Sequence, residues 1–126
     1  MFLQFQSQEE RRKYGGSCFI ELQFCRAAED APVSELFRHY DHWQNDSLYV
    51  QGDSPLYTVY GEVFGNGLHP NMTESPLDMW GVTYYRRDQI DGIIARAEQR
   101  RPEGFEMLTA WLLEAKQYTG FYIFGV

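Results

Sequence analysis

The residues best equipped for chemistry sit in one octapeptide, HYDHWQND, from His39 to Asp46. It holds two histidines, two aspartates, a tyrosine and a tryptophan. Imidazole and carboxylate are the ligand types of a divalent metal and the acid–base groups of many hydrolytic sites. Glu35 and His39 are four apart and His39 and His42 three apart, so on a helix these three share one flank. A metal could be gripped from that flank, with His69 as a further ligand from a distant loop. The spacing is not HExxH, in which the histidines are four apart and the glutamate follows the first. Nothing in the sequence brings His69 to the others. The same octapeptide reads as a gripping surface, because Trp and Tyr are enriched at the energetic centres of protein interfaces.

Other catalytic patterns are missing. No serine lies in a GxSxG turn, and Gly61, Gly65 and Gly67 lack the Lys and Ser/Thr that complete a phosphate loop. Carboxylates are plentiful, but no pair stands out as a general acid and base. Nucleic-acid binding asks for a basic stripe interleaved with aromatics. The basic clusters, Arg11-Arg12-Lys13, Arg86-Arg87 and Arg100-Arg101, are short and offset by nearby acids, so they read as surface charge. The expectation is a chain with no catalytic residues, no metal and no cofactor.

Charge is distributed unevenly. The chain carries a net charge of -7, yet Ala27 to Tyr85 holds nine acids against the single base Arg38, a segment net of -8. The remainder is close to neutral. An acidic block of this kind repels nucleic acid and anionic membrane, and it speeds encounter with a basic partner. Aromatics run through the same block: Tyr40, Trp43, Tyr49, Tyr57 and Tyr60. Rigid aromatic anchors among carboxylates suit a Lys/Arg-rich surface. The candidate partner-binding set is Glu35, His39, Asp41, His42, Trp43, Asp46, Asp53 and Glu62.

These residues must be placed by a framework. FLQF (Phe2 to Phe5) reads as a short opening strand, and QEERRKYGG as a polar turn. SCFIELQFC (Ser17 to Cys25) alternates as a strand with Cys18, Ile20, Leu22 and Phe24 on one face. Asp30 and Pro32 suit a helix start, and Val33, Leu36, Phe37, Tyr40 and Trp43 recur at helical spacing up to Asn45-Asp46. SLYVQ (Ser47 to Gln51) and the β-rich LYTVYGEVFG (Leu56 to Gly65) read as strands, the latter with its Tyr57 side inward. NGLHPNMTESP (Asn66 to Pro76) reads as a long loop and DMWGVTYY (Asp78 to Tyr85) as a strand. Two helices follow, with stripes Ile90, Ile93, Ile94, Ala97 and Phe105, Leu108, Trp111, Leu112, Ala115, separated by Pro102 and Gly104. The closing YTGFYIFGV (Tyr118 to Val126) is apolar on both faces, the mark of a strand inserted between others. The fold class is therefore α+β: a largely antiparallel sheet of five or six strands with three helices packed on it, the C-terminal strand buried within the sheet.

The 126 residues fit one domain, and 44% hydrophobic with 17% aromatic content fills a core without metal or disulfide. Cys18 and Cys25, seven apart, point to opposite faces of a strand and read as two small buried residues. No apolar run approaches the ~20 residues that span a bilayer. The N-terminal MFLQFQSQEERRKY lacks the apolar core of a signal peptide, so a soluble cytoplasmic protein is expected.

The last third adds a resemblance. Tyr84-Tyr85, Ile93-Ile94 and the run PEGFEMLTAWLLEAKQYTGFYIFGV resemble the closing segment of immunity proteins of bacterial contact-dependent and polymorphic toxin systems, over residues 79 to 126. The resemblance implies a non-enzymatic inhibitor that binds a cognate toxin domain in the cytosol; separately, a monomer is expected. Many such toxins are nucleases with basic clefts, which suits an acidic cover independently. Two other readings stand beside it: a phage-type DNA mimic that inhibits a defence complex, and a small metal-dependent enzyme using His39, His42 and Glu35.

Overall fold

The computed structural model describes residues 1–15 and 18–126. Gly16 and Ser17, which fall in the expected turn and the expected second strand, lie outside the described residues. The elements in chain order are α1 (Gln8–Tyr14), β1 (Phe19–Phe24), α2 (Val33–Leu36), β2 (Leu48–Gln51), α3 (Leu56–Phe64), β3 (Gly67–Leu68), β4 (Glu74–Ser75), β5 (Val82–Tyr85), a 3₁₀ turn (Arg87–Gln89), α4 (Ile90–Arg100), α5 (Phe105–Ala115) and β6 (Phe121–Phe124). The six strands form one sheet in the order β2-β1-β6-β5-β3-β4, with every neighbouring pair antiparallel. The class is α+β, as expected, and β6 lies between β1 and β5 with all four residues buried.

Both faces of the sheet are covered. Ile20, Leu22, Phe24, Phe121 and Ile123 point to one side, where α3, α4 and α5 pack. The Phe24 ring stacks on Trp111 of α5 at 4.3 Å between centroids. Helices α4 and α5 bury Ile90, Ile93, Ala97 and Leu108, Trp111, Leu112, Ala115 of the stripes expected of them, while Ile94 and Phe105 are half-buried against the same core. Tyr122 and Phe124 point to the other side, beneath Leu36, Phe37 and Tyr40. Phe19 and Tyr49 share that side with Phe5 and Trp43. The chain between β1 and β2 thus forms an irregular cover over the sheet face opposite the helices.

Several expected elements differ, each for a physical reason. LYTVYGEVFG is helix α3 rather than a strand: Leu56, Tyr60, Val63 and Phe64, at 0, 4, 7 and 8, are its buried positions. Burial at helical period overrides the local β-propensity of its residues. Tyr57 and Val59, expected inward, are exposed. The expected helix up to Asn45-Asp46 shrinks to the single turn α2, capped by Pro32 without a side-chain bond from Asp30. Val33, placed in its buried stripe, is exposed.

QEERRKY forms helix α1 rather than a turn, because Ser7 caps it by accepting from the Glu10 amide at 3.1 Å. FLQF contributes only an isolated bridge, Leu3 to Tyr49, with both backbone bonds at 2.8 Å. In the expected long loop, Leu68 pairs with Glu74 in a two-residue ladder. DMWGVTYY begins as a turn, and only its second half is strand. Cys18, expected buried, is exposed at the mouth of β1, whereas Cys25 is buried and donates to the Tyr122 hydroxyl at 3.2 Å. The described residues form five α-helices rather than three, the additions being α1 and α3.

Five buried tyrosines pin the layers. Tyr49, Tyr60, Tyr84, Tyr85 and Tyr122 donate their hydroxyls to the main-chain carbonyls of Gln44, Glu103, Thr119, Gly65 and Leu36. Each hydroxyl thereby meets a partner that its burial requires.

Candidate functional site

The cover is shaped by two polar side chains of β1. Glu21, 1% exposed, points to the cover face together with Gln23. Glu21 Oε1 accepts from the Trp43 amide at 2.8 Å, and Oε2 accepts from the Gln44 amide at 3.1 Å, from Ser47 Oγ at 2.7 Å and from Gln23 Nε2 at 3.0 Å. A buried carboxylate that fills its lone pairs in this way is strongly held. Gln23 grips the backbone of Asp41 from both sides: its Oε1 accepts from the amide at 3.2 Å and its Nε2 donates to the carbonyl at 2.7 Å. These bonds replace the i→i−4 ladder that a helix through Tyr40 and Trp43 would need. Trp43 takes a left-handed φ of 70° at the point of grip. The helical spacing in the sequence is therefore overruled by the strand beneath it.

The cover presents Glu35, His39, Asp41 and His42 outward, all exposed. His39 Nε2 lies 3.9 Å from Glu35 Oε2, so these two share a flank as their spacing suggests. His42 belongs elsewhere: its Nδ1 is 3.8 Å from Glu21 Oε1 and its ring packs 4.7 Å from Phe124. His69 sits in the β3–β4 arm with Nε2 2.8 Å from the Pro76 carbonyl oxygen. Among the described residues no three His, Cys, Asp or Glu side chains are grouped to hold a metal.

Trp43 packs inward, and Asp46 is half-buried. The Trp43 ring is sandwiched between the Arg11 guanidinium, 3.8 Å from its centroid, and the stacked Tyr49 ring. Arg11 is thereby buried, unlike the surface charge expected, and its Nε donates to Gln8 Oε1 at 2.7 Å. Burial first, and the Glu21 carboxylate second, push the Tyr49 hydroxyl up to about 12. Asp46 is ion-paired to Arg26, and its carbonyl accepts from the Trp111 indole at 2.9 Å, which ties the end of the cover to α5. Asp53 is exposed in the turn between β2 and α3. Glu62 lies on α3, in the layer opposite the cover, and is ion-paired to Arg100. The eight candidate residues thus divide into an outward group on the cover, the half-buried Trp43 and Asp46, and two outlying acids.

Folding also redistributes the charge. Glu29, Asp46, Glu62 and Glu74 are paired with Arg87, Arg26, Arg100 and Arg86, arginines that all lie outside the acidic block. The hydrogen bond that Arg86 donates to Glu74, and then the one it donates to Asp88, hold its guanidinium above its ordinary range. Exposed pairs contribute only ~0–1 kcal/mol to stability. They do cancel charge that a partner would otherwise meet. Among the described residues Asp30, Glu35, Asp41, Asp53 and Asp78 have no arginine partner, and Asp78 caps its own turn by accepting from the Trp80 amide at 2.9 Å.

Three residues important to this surface escaped the sequence reading. Glu21 and Gln23 fall at alternate positions of FIELQF, a signal that one face of β1 is polar, and burial of that face is not visible without the cover. Trp80, in a stretch whose sequence suggests a strand, is 75% exposed on a turn. Comparison with protein families, characterised proteins and solved structures gives no match for this chain. Among the described residues no helix is long and apolar enough to cross a membrane.

Proposed function

We propose that the chain is a non-enzymatic immunity-type inhibitor that binds and neutralises a basic toxin domain in the cytoplasm through the outward face of its cover. The observation that carries this reading is the clamp: an irregular, acid-bearing segment is fixed to the sheet by the buried Glu21 and by Gln23. A surface ordered before binding loses less entropy on association than a mobile loop would. Glu35 and Asp41 have no arginine partner, so they are free to meet Lys and Arg of a nuclease cleft. Attraction of this kind accelerates encounter and weakens as salt rises. The charge pairing makes the DNA-mimic alternative the poorer fit, because a mimic needs a contiguous array of uncompensated carboxylates. The metal-enzyme alternative would need His39 and His42 to converge, and they face different carboxylates.

The test is the double variant Glu35→Lys, Asp41→Lys, assayed for binding of the toxin domain by calorimetry at low and high salt. Both side chains are exposed, so an unchanged circular dichroism spectrum and melting curve are expected. Affinity is expected to fall by ~10–100-fold at low salt and by less at high salt. Unchanged affinity at low salt in a folded variant would remove these residues from the interface.

A further inference from the structure

The most exposed aromatic of the chain is Trp80, at 75%, on the Asp78–Gly81 turn that leads into β5. Single large apolar side chains on a surface are common; this one stands on a turn whose backbone is fixed by hydrogen bonds. This turn is held from four directions. Asp78 Oδ1 accepts from the Trp80 amide at 2.9 Å, and the Asp78 amide donates to Thr83 Oγ1 at 3.2 Å. The Val126 amide donates to the Met79 carbonyl at 2.9 Å, and the Gly125 amide donates to the Gly81 carbonyl at 2.8 Å.

The surroundings indicate what such a turn could receive. β1 and β5 begin at this end of the sheet and β2 and β6 end there. Tyr57 and Val126 are exposed here at 40% and 38%. An apolar crevice lined by Tyr57, Leu77, Asp78 and Met79 opens beside the turn, with room for about one water-sized group. A broader groove along α3 continues from it, lined by Tyr57, Glu62, Asn66 and Leu77. Among the described residues neither crevice is lined by a lysine or an arginine; of the acids in them, Asp78 has no arginine partner and Glu62 is paired to Arg100. Asp53 adds an unpaired carboxylate one residue from Gly52, which Val126 approaches closely. The patch is thus aromatic and apolar, with Asp78 and Asp53 as its uncompensated acids. Its chemistry is complementary to an aliphatic segment carrying Lys or Arg, whose cation can lie over the indole.

We propose that Trp80 is the docking anchor for a Lys/Arg-bearing segment of the protein partner, with Tyr57 and Asp53 beside it. The anchor rests on the inhibitor reading above and extends its surface. His42 packs on Phe124, the residue before Gly125, so the outward edge of the cover and the Trp80 turn meet at the same end of the sheet. Asp53, which β2 separates from the cover, then belongs to the same contact.

The experiment uses ¹⁵N-labelled protein, whose three tryptophans give three indole N–H signals, with Trp80→Phe assigning the third. The probe is a synthetic peptide of alternating Arg and Leu, with a Glu–Leu peptide as control. The expected result is a saturable shift of the Trp80 signal with the Arg peptide alone, weakened by salt, and a loss of at least ~30-fold in affinity in Trp80→Ala. No shift of the Trp80 signal, or an equal response to the Glu peptide, overturns the proposal. So does a Trp80 signal that moves with protein concentration alone while sedimentation reports a dimer, because the occupant is then a second copy. Binding of the toxin domain separates this inference from the reading it extends. If Glu35→Lys, Asp41→Lys abolishes that binding and Trp80→Ala leaves it intact, the anchor fails alone. If only Trp80→Ala abolishes it, the anchor stands and the cover assignment fails.

Discussion

Glu21→Ala is the substitution that most directly probes how the cover is held. The change removes the acceptor of the Trp43 and Gln44 amides and of the Ser47 hydroxyl, and leaves Gln23 Nε2 with the Asp41 carbonyl alone. Each buried donor left without a partner costs ~1–3 kcal/mol. Trp43 and Gln44 are only half-buried, so water reaches part of the gap and lowers the total. A loss of ~3–4 kcal/mol is expected, in the range found when one partner of a buried charged network is removed. That is a large fraction of the ~5–15 kcal/mol of a typical domain. Glu21→Gln is the graded control: it keeps an acceptor for one amide and turns a donor toward the others, for a loss of ~2 kcal/mol. Urea unfolding followed by circular dichroism gives both values, and hydrogen exchange at the Trp43 and Gln44 amides shows where the loss occurs. A Glu21→Ala protein within ~1 kcal/mol of the parent, with those amides still protected, would refute the clamp.

Two further outcomes follow from the packing. Burial raises the hydroxyls of Tyr49, Tyr60 and Tyr84 to about 12, and those of Tyr85 and Tyr122 higher still. Their stabilisation is complete below pH ~10 and is lost as pH rises through the folded values, so cooperative alkaline unfolding between pH ~10 and ~12 is expected; a chain still folded above pH ~12.5, or one unfolding below pH ~9, would contradict this assignment. At Gly125 an added Cβ would lie 2.2 Å from the Met79 carbonyl oxygen, so Gly125→Ala should cost ~1–3 kcal/mol and shift the Trp80 indole signal; a melting curve and indole spectrum like those of the parent would refute the close approach of β6 to that turn.

The framework was legible where burial and local period agree. Stripes such as Ile90, Ile93, Ala97 and Leu108, Trp111, Leu112 are long, and they declare α4 and α5 in any context. The two-sided apolarity of FYIF declared a strand enclosed by neighbours. α3 was misread because Tyr, Thr and Val favour strands locally, while its contacts with the sheet demand helical spacing. The cover was misread for the opposite reason. Its apolar residues do recur at helical spacing, but Gln23 and Glu21 take the backbone bonds that a helix would use. Glu35 and His39 kept the relation their spacing implies. His42 and His69 did not join them, because their positions are fixed by contacts distant in sequence. The charge asymmetry was real along the chain and weaker in space, since arginines from the neutral part fold back onto Glu29, Asp46, Glu62 and Glu74.

The central claim is that this chain neutralises a basic protein, and capture with a functional readout tests it most directly. The parent chain and the Glu35→Lys, Asp41→Lys variant would each be used as bait in lysate of the source organism at low salt, with the retained protein identified and its activity measured as this chain is added. The account predicts one basic polypeptide, retained by the parent, lost at high salt and lost by the variant, whose activity falls to zero at one equivalent of the parent chain. A captured protein that is acidic, that is held equally by the variant, or whose activity persists with the parent chain in excess would contradict it.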